Sequence, residues 1–515
     1  MTLSTNATQT GFEAFVRLIA DELGPDAITT NADTLQRYGE HTLPGPDNPP
    51  SAVIYPGSTD DVQKIVRAAN THRIELFPVS TGLNIGLGTK SPMHAGQVVV
   101  DLGRRMNRIL EIDEALGYCV IEPGVSFQAM YDELQNRSSK LMISPTAGPP
   151  QGSLLGNALD KGGGQGPAAD HFGMTCGMEI VLGNGEIIRT GDGGLRADER
   201  LNWHVSKYSF GPALDGLFAQ SNYGIATRAG MWLMPRPPHI EPFFFDAPDD
   251  GDLGEIIELV RPLKQNNFVP TLIRVVNDLY LIAAEDVNPE YAATSGTRQI
   301  SDEARRDLRK KHGLGAWNIS GALYGASKEA VAPQLNRLRA HFAKSSKIRY
   351  VPSEEADGIP ALEVARENYY GKPCDGELRM LKWRPGGGTA WFLPGTPMIG
   401  EIADSFQRQA RAICEQHGME YLVSNVCGAR FARSIHTLVF NRRDPDEAAR
   451  ADACYRALSE CYASRGLSVG RAPTRYQKLH HEHRMPAIVN ACSAIKQALD
   501  PNGVIAPGKY GIDLP

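Results

Sequence analysis

Ser80-Thr81-Gly82-Leu83-Asn84-Ile85-Gly86-Leu87-Gly88 follows directly on the apolar stretch Leu76 to Val79. Glycines at 82, 86 and 88 carry no Cβ, so successive backbone N–H groups are free to close on an anion. Ser80, Thr81 and Asn84 add side-chain donors. Two better-known phosphate loops do not fit. A GxGxxG fingerprint counted from Gly86 and Gly88 needs glycine at 91, which is Ser91, and should open straight into a helix. A Walker loop needs Gly-Lys followed by Ser or Thr, and none is present here. Taken alone, such a segment is more often only a tight turn.

Working outward, the flanking sequence alternates helix and strand. Thr10 and Glu13 form a capping-box pattern ahead of Phe12, Phe15, Ile19 and Leu23, which share one helical face. Ser58-Thr59-Asp60-Asp61 starts a second helix burying Val62, Ile65, Val66 and Ala69. Val98 to Val100 and Cys119 to Ile121 read as strands, the latter turning at Glu122-Pro123-Gly124 into a short helix. Residues 178–190 predict a hairpin around Asn184-Gly185, a dipeptide suited to a type I′ turn. Beyond Pro235-Arg236-Pro237-Pro238 an α+β segment runs to about residue 478, and a turn-rich piece, Pro486 to Pro515, ends the sequence. The expected organisation is a first domain over 1–240, a second over 241–480, and a return of 481–515 to the first.

At 515 residues, two or three domains are expected. A net charge of −6 gives no basic footprint for nucleic acid, so an anionic coenzyme must be held by local geometry. There is no apolar run of about 18 residues to suggest a membrane span, and Met1 to Gln9 lacks the pattern of a signal peptide, so a cytoplasmic location is expected. Eight scattered cysteines without CxxC argue for free thiols and against structural zinc. His480-His481-Glu482-His483 invites a metal assignment, but neighbouring histidines on a helix point apart, and surface histidines are the expectation.

In order and spacing, these segments resemble the vanillyl-alcohol oxidase and p-cresol methylhydroxylase flavoproteins. The resemblance runs from about residue 40 to 513 and covers the loop, Val120-Ile121-Glu122-Pro123-Gly124-Val125, Gly156-Asn157-Ala158, Asp170-His171-Phe172 and Gly177-Met178-Glu179-Ile180-Val181-Leu182. It continues through Ser221-Asn222-Tyr223-Gly224-Ile225, Trp232-Leu233-Met234-Pro235 and Asp500-Pro501-Asn502-Gly503 to Pro507-Gly508-Lys509. It implies an α+β fold: an FAD-binding domain of two α+β subdomains, and a cap domain built on an antiparallel sheet. The flavin then takes a hydride at N5 while the protein supplies placement and electrostatics. The implied flavin contacts are Ser80, Thr81, Gly82, Leu83, Asn84, Ile85, Gly86, Pro123, Gly124, Gly152, Gly156, Asn157, Ile225, Arg471 and Lys509, and the resemblance makes Arg471 the catalytic cation near flavin N1 and the C2 oxygen that stabilises the reduced ring. His171 is expected to brace the flavin domain.

The departures from the family bear on substrate. Relatives that oxidise para-substituted phenols hold the phenolate with two tyrosines and an arginine. Here the tyrosine positions carry Leu87 and Gly470, while Arg471 remains. The substitutions predict a larger, less polar pocket and leave a buried phenolate undercompensated by a few kcal/mol. The residues that link flavin covalently in relatives fall at Thr389 and Leu381, so non-covalent FAD is expected; the oxidase aspartate falls at Gly148. Glu377 matches a family carboxylate and is the candidate general base. Tyr369, Tyr370 and Tyr476 are candidate substrate contacts. Around Trp383-Arg384-Pro385-Gly386-Gly387-Gly388 and Trp391 the sequence is nearer the methylhydroxylase branch, which implies a c-type cytochrome acceptor near Trp391.

The expected activity is therefore hydride removal from a benzylic or allylic carbon, or an alcohol, of an aromatic or terpenoid-like substrate. A hydroxy-acid dehydrogenase with Arg471 as carboxylate clamp, and a non-catalytic flavin subunit beside an active paralogue, are the alternatives. A homodimer or a heteromer with a paralogue is the expected assembly, with co-export to the periplasm beside a partner as the second location.

Overall fold

A computed structural model describes residues 3–515, with side chains from residue 10 onward. The glycine-rich loop leaves the strand Leu76–Val79, an edge of a four-stranded sheet. Leu76–Val79 and Ala52–Ile54 both run parallel to the central Val98–Asp101, and the short Ile28–Thr29 pairs antiparallel with Ala52–Ile54. Val98, Val99 and Val100 are fully buried, as befits a β-branched strand covered on both faces. The helix Thr59–His72 covers this sheet with Val62, Ile65, Val66 and Ala69, and the Ser58 side chain caps it by accepting from Asp61 N. Thr10 does not begin a helix. The first helix spans Leu3–Leu23, so the capping-box pattern lies within it, while Phe15 and Ile19 still face the core.

A five-stranded antiparallel sheet follows, ordered Ile109–Asp113, Tyr118–Ile121, Gly224–Trp232, Thr175–Leu182, Ile187–Arg189. The Asn184-Gly185 hairpin is present, but its turn differs from type I′. Only Gly185 has positive φ (82°), the Gly185 amide donates to Leu182 O at 2.9 Å, and the Leu182 amide donates to Glu186 O at 2.8 Å. That is a three-residue loop in which a left-handed glycine forms a bulge; the preceding Gly183 lengthens the connection by one residue.

The antiparallel sheet of the second half takes its strands from His239–Ala247 through Phe431–Phe440. Its order is Arg349–Val351, His239–Ala247, Trp317–Gly325, Ile273–Asn277, Val423–Cys427, Phe431–Phe440, Gly388–Phe392, with Gly395–Pro397 also pairing to Phe431–Phe440. Helices Leu253–Gln265, Gly400–Gln416 and Pro445–Ala463 bury Ile256, Phe406 and Leu458 in one core on this sheet.

The chain then returns to the first sheets. Ile505 bridges Leu76 in parallel, and Leu76 N donates to Val504 O at 2.8 Å. Lys496, fully buried, donates to Asn222 O (2.7 Å), Asp500 Oδ2 (2.6 Å) and Ile505 O (2.7 Å), which satisfies every ammonium proton. Burial lowers its pKa while the Asp500 partner opposes that shift. All eight cysteines are free, and among the described residues no helix is long and apolar enough to cross a membrane.

Candidate cofactor and substrate site

The loop, the helix Leu154–Leu159, the strand Gly224–Trp232, the cap sheet and the returning tail enclose a cavity of about 330 Å³. The residues Ser80 to Ile85, Pro123, Gly152, Gly156, Asn157 and Ile225 line one reach of it, with Lys509 and Arg471. Among the described residues, the backbone N–H groups of Thr81, Gly82, Leu83, Asn84 and Ile85 donate to no protein acceptor. Consecutive orphan amides facing a cavity are costly unless an anion or solvent meets them. The donor set therefore fits a pyrophosphate, the central group of FAD.

Two residues assigned to the cofactor stand outside the cavity wall. Gly124 is a packing glycine whose amide donates to Met106 O at 2.8 Å. Gly86 has φ 74°, and a Cβ there would fall 2.0 Å from the Trp391 indole. The indole fills that space: Trp391 Nε1 donates to Ile85 O at 2.6 Å and its backbone N donates to Gly86 O at 3.2 Å. Thr42 extends the junction, its hydroxyl accepting from the Gly86 amide at 3.0 Å and donating to Thr389 O at 3.1 Å. Trp391 thus lies between cap and loop and lines the cavity.

Behind the loop, His171 joins Asn157 Oδ1 and Ser144 O at 2.7 Å each. Burial lowers its pKa to about 4, so the ring is neutral and braces the wall.

The other reach of the cavity is walled by Leu87, Leu378, Leu393, Ile435 and Trp391, and its polar groups include Glu377 and Tyr280. Glu377 is buried and already engaged. Arg274, itself 2% exposed, pairs with its Oε1, and Tyr280 donates to its Oε2 at 2.9 Å. Arg274 also donates to Ser424 Oγ at 2.9 Å from Nη2. Burial, reinforced by Glu377, raises the Tyr280 phenol well above its ordinary value and keeps it a donor. Arg274 stands out in sequence as the charge within an apolar strand, Ile273–Asn277, and that signal was available. Tyr280 offered none.

Arg471 is likewise paired. Its Nε (2.8 Å) and Nη2 reach Asp160 Oδ2, and Tyr510 donates to Asp160 Oδ1 at 3.0 Å. Asp160 and Tyr510 are site residues that sequence inspection missed, although Asp160 lies just past the Gly156-Asn157-Ala158 motif. Lys509 packs over Phe77 at 4.5 Å, and burial lowers its pKa.

Gly470 does not line the cavity, and the missing side chain leaves no void. A Cβ at 470 would sit 3.0 Å from Arg433 Nη2, so a guanidinium occupies that side, and the pocket there is neither enlarged nor less polar. Tyr369 lies behind the wall, hydrogen-bonded to Ser320 Oγ at 3.1 Å, with burial pushing its phenol up to about 12. Tyr476 stacks on Tyr455 at 3.7 Å, and Tyr370 is 44% exposed; neither lines the cavity. Thr389 and Leu381 do not line it either, whereas Gly148 does.

Of the three histidines His483 is exposed as expected, whereas His480 is half-buried and His481 is buried. His480 meets Tyr455 OH at 3.0 Å with its pKa lowered by burial to about 4, and His481 is 7% exposed. No group of metal-ligating side chains is assembled among the described residues.

Residues 50–191 match the FAD binding domain family model. The chain is 34% identical to the 4-cresol dehydrogenase [hydroxylating] flavoprotein subunit of Pseudomonas putida, across 99% of this chain and 98% of that one. It is 32% identical to 1'-carboxy-chondrochloren decarboxylase of Chondromyces crocatus, across 89% and 90%. The crystal structure of p-cresol methylhydroxylase with substrate bound superposes with a TM-score of 0.94 at 34% identity, covering 98% of each chain.

Proposed function

This chain is an FAD-dependent oxidoreductase of the vanillyl-alcohol oxidase and p-cresol methylhydroxylase family, and from that premise we propose that it oxidises a benzylic or allylic carbon, or an alcohol, of an aromatic or terpenoid-like substrate. Bound FAD supplies the hydride acceptor. In the proposal, residues 1–240 and 481–515 hold the cofactor and 241–480 form the cap over the substrate.

The observation that carries the substrate class is the wall of Leu87, Leu378, Leu393, Ile435 and Trp391 around the Glu377–Tyr280 pair. An apolar ring or chain gains roughly 25 cal/mol for each Å² it buries there. A phenolate gains less, because Leu87 stands at one of the family's tyrosine positions and Arg471 is committed to Asp160. The same pairing weakens the case for a hydroxy-acid substrate clamped by Arg471. Glu377, paired with Arg274, has lone pairs left to accept from a substrate hydroxyl or a water. That makes it an orienting acceptor first, and a base only as far as Arg274 releases it.

A c-type cytochrome is the proposed electron acceptor. The support is the likeness to a flavoprotein subunit of a cresol dehydrogenase and the tryptophan at 391, which lies between cap and loop.

The test is anaerobic bleaching of the bound flavin by three panels: 4-alkylphenols, apolar allylic alcohols and alkenes, and 2-hydroxy acids. The proposal expects fastest bleaching by the allylic or bulky benzylic panel. Bleaching by hydroxy acids alone overturns it, and bleaching by none supports a non-catalytic flavin subunit. Reoxidation by cytochrome c faster than by oxygen identifies the acceptor.

A further inference from the structure

Segments far apart in sequence meet over one carboxylate. Asp160 follows the helix Leu154–Leu159 and its backbone amide donates to Gly156 O at 3.2 Å. Gln220 Nε2 donates both to Asp160 O (3.1 Å) and to Gly470 O (2.8 Å), which fixes the backbone on either side of the ion pair. On that frame Asp160 Oδ2 takes two donors from Arg471 and Oδ1 takes the Tyr510 hydroxyl. A carboxylate at a helix C-terminus is unfavourable by itself, so the cation also relieves the end of the helix.

Electrostatic fields superpose. A guanidinium in contact with a carboxylate therefore presents little net charge to a third group several ångströms away. Lys509 differs. It forms no ion pair among the described residues, it lines the same cavity, and its nearest aromatic faces are Phe77 at 4.5 Å and Tyr510 at 5.7 Å. Asp160 is near enough to raise the Lys509 pKa against the lowering by burial, but without a direct ion pair its charge is less fully compensated than that of Arg471.

We propose that Asp160 is a positioning residue that locks Arg471 in place and cancels its charge, leaving Lys509 as the cation that answers negative charge on the reduced flavin. The proposal rests on FAD occupying this cavity and not on which substrate is oxidised, so the bleaching panels and the test below fail independently. It also makes the Asp160–Arg471 pair a setting for cofactor potential: a change that unmasks Arg471 makes the flavin a stronger oxidant.

The test uses the purified holoenzyme and sulfite, which adds to flavin N5 and leaves a negative charge on the ring. Its affinity is read from the loss of the flavin absorbance band and needs no substrate. Lys509→Met should weaken sulfite binding by about tenfold or more, the order expected for one charge across partly screened protein. Asp160→Asn should strengthen it by a similar factor. The charge-neutral double variant Asp160→Asn with Arg471→Gln should stay within about threefold of the parent. The midpoint potential should move with affinity across the set. A double variant that falls as far as Lys509→Met shows that Arg471 carries the charge despite Asp160, and overturns the proposal. So does an Asp160→Asn variant with unchanged sulfite affinity. If Asp160→Asn alone fails to fold or retain flavin, the Lys509 variant and the double variant decide the question between them.

Discussion

Trp391 Nε1 donates to the carbonyl of Ile85 at 2.6 Å, so the edge strand of the cap sheet closes on the loop that presents the orphan amides. The indole occupies the space that a side chain at residue 86 would need.

Disturbing either partner should therefore loosen the cofactor rather than the fold. Trp391→Phe removes one hydrogen bond worth about 1 kcal/mol and some packing, and FAD affinity should drop several-fold. Gly86→Ala, at φ 74° with the indole in the way, should cost more. Flavin release measured by fluorescence against urea separates cofactor loss from unfolding.

Glu377→Leu should be among the more damaging single changes in the cap. It strands Arg274, which is 2% exposed, and breaking a buried ion pair from one side costs about 3–5 kcal/mol. Tyr280→Phe removes only a hydrogen bond to a charged group and should cost about 1.5–3 kcal/mol. Denaturant midpoints of the two variants check the ranking. Reversing the order would mean that Glu377 is not held by Arg274.

Acid denaturation should leave the yellow colour in the supernatant. Neither Thr389 nor Leu381 carries a side chain of the kind that links flavin in relatives, and neither lines the cavity. Colour retained in the pellet refutes non-covalent binding.

Stability should fall as pH drops from about 6.5 towards 4. Burial lowers His171 to about 4, so the folded chain resists a proton that the unfolded chain accepts below its ordinary histidine value. Its contribution is fully present above pH 6.5 and is lost as pH falls through that window, on the order of 3 kcal/mol in all. His480, also lowered to about 4, adds to the same slope. His171→Gln should flatten the dependence, as read from urea midpoints at a series of pH values.

What sequence disclosed was local. The glycine pattern of residues 80–88, the capped helix at Ser58 and the Asn184-Gly185 hairpin each rest on residues within a few positions of one another, where backbone preference is decisive. The turn type was misassigned because Gly183 adds a residue that the dipeptide does not advertise. The site's charge balance was hidden for the opposite reason. Asp160 and Arg471 are 311 positions apart, and Glu377 and Tyr280 are 97 apart. No periodicity reports a pairing across that distance, so Arg471 and Glu377 were recognisable as chemistry but not as partners already engaged. The Gly470 position taught a related lesson, since the space vacated in one segment is taken by Arg433 from another.

The tether of Lys496 to Asn222, Asp500 and Ile505 has a consequence for how the protein is made. Lys509 and Tyr510 reach the cavity only after the chain has passed through that anchor, so a ribosome stalled before residue 509 holds a nascent chain with an unfinished cofactor site. Removing the chain from Lys509 onward should therefore leave the cavity without its C-terminal wall and weaken flavin retention.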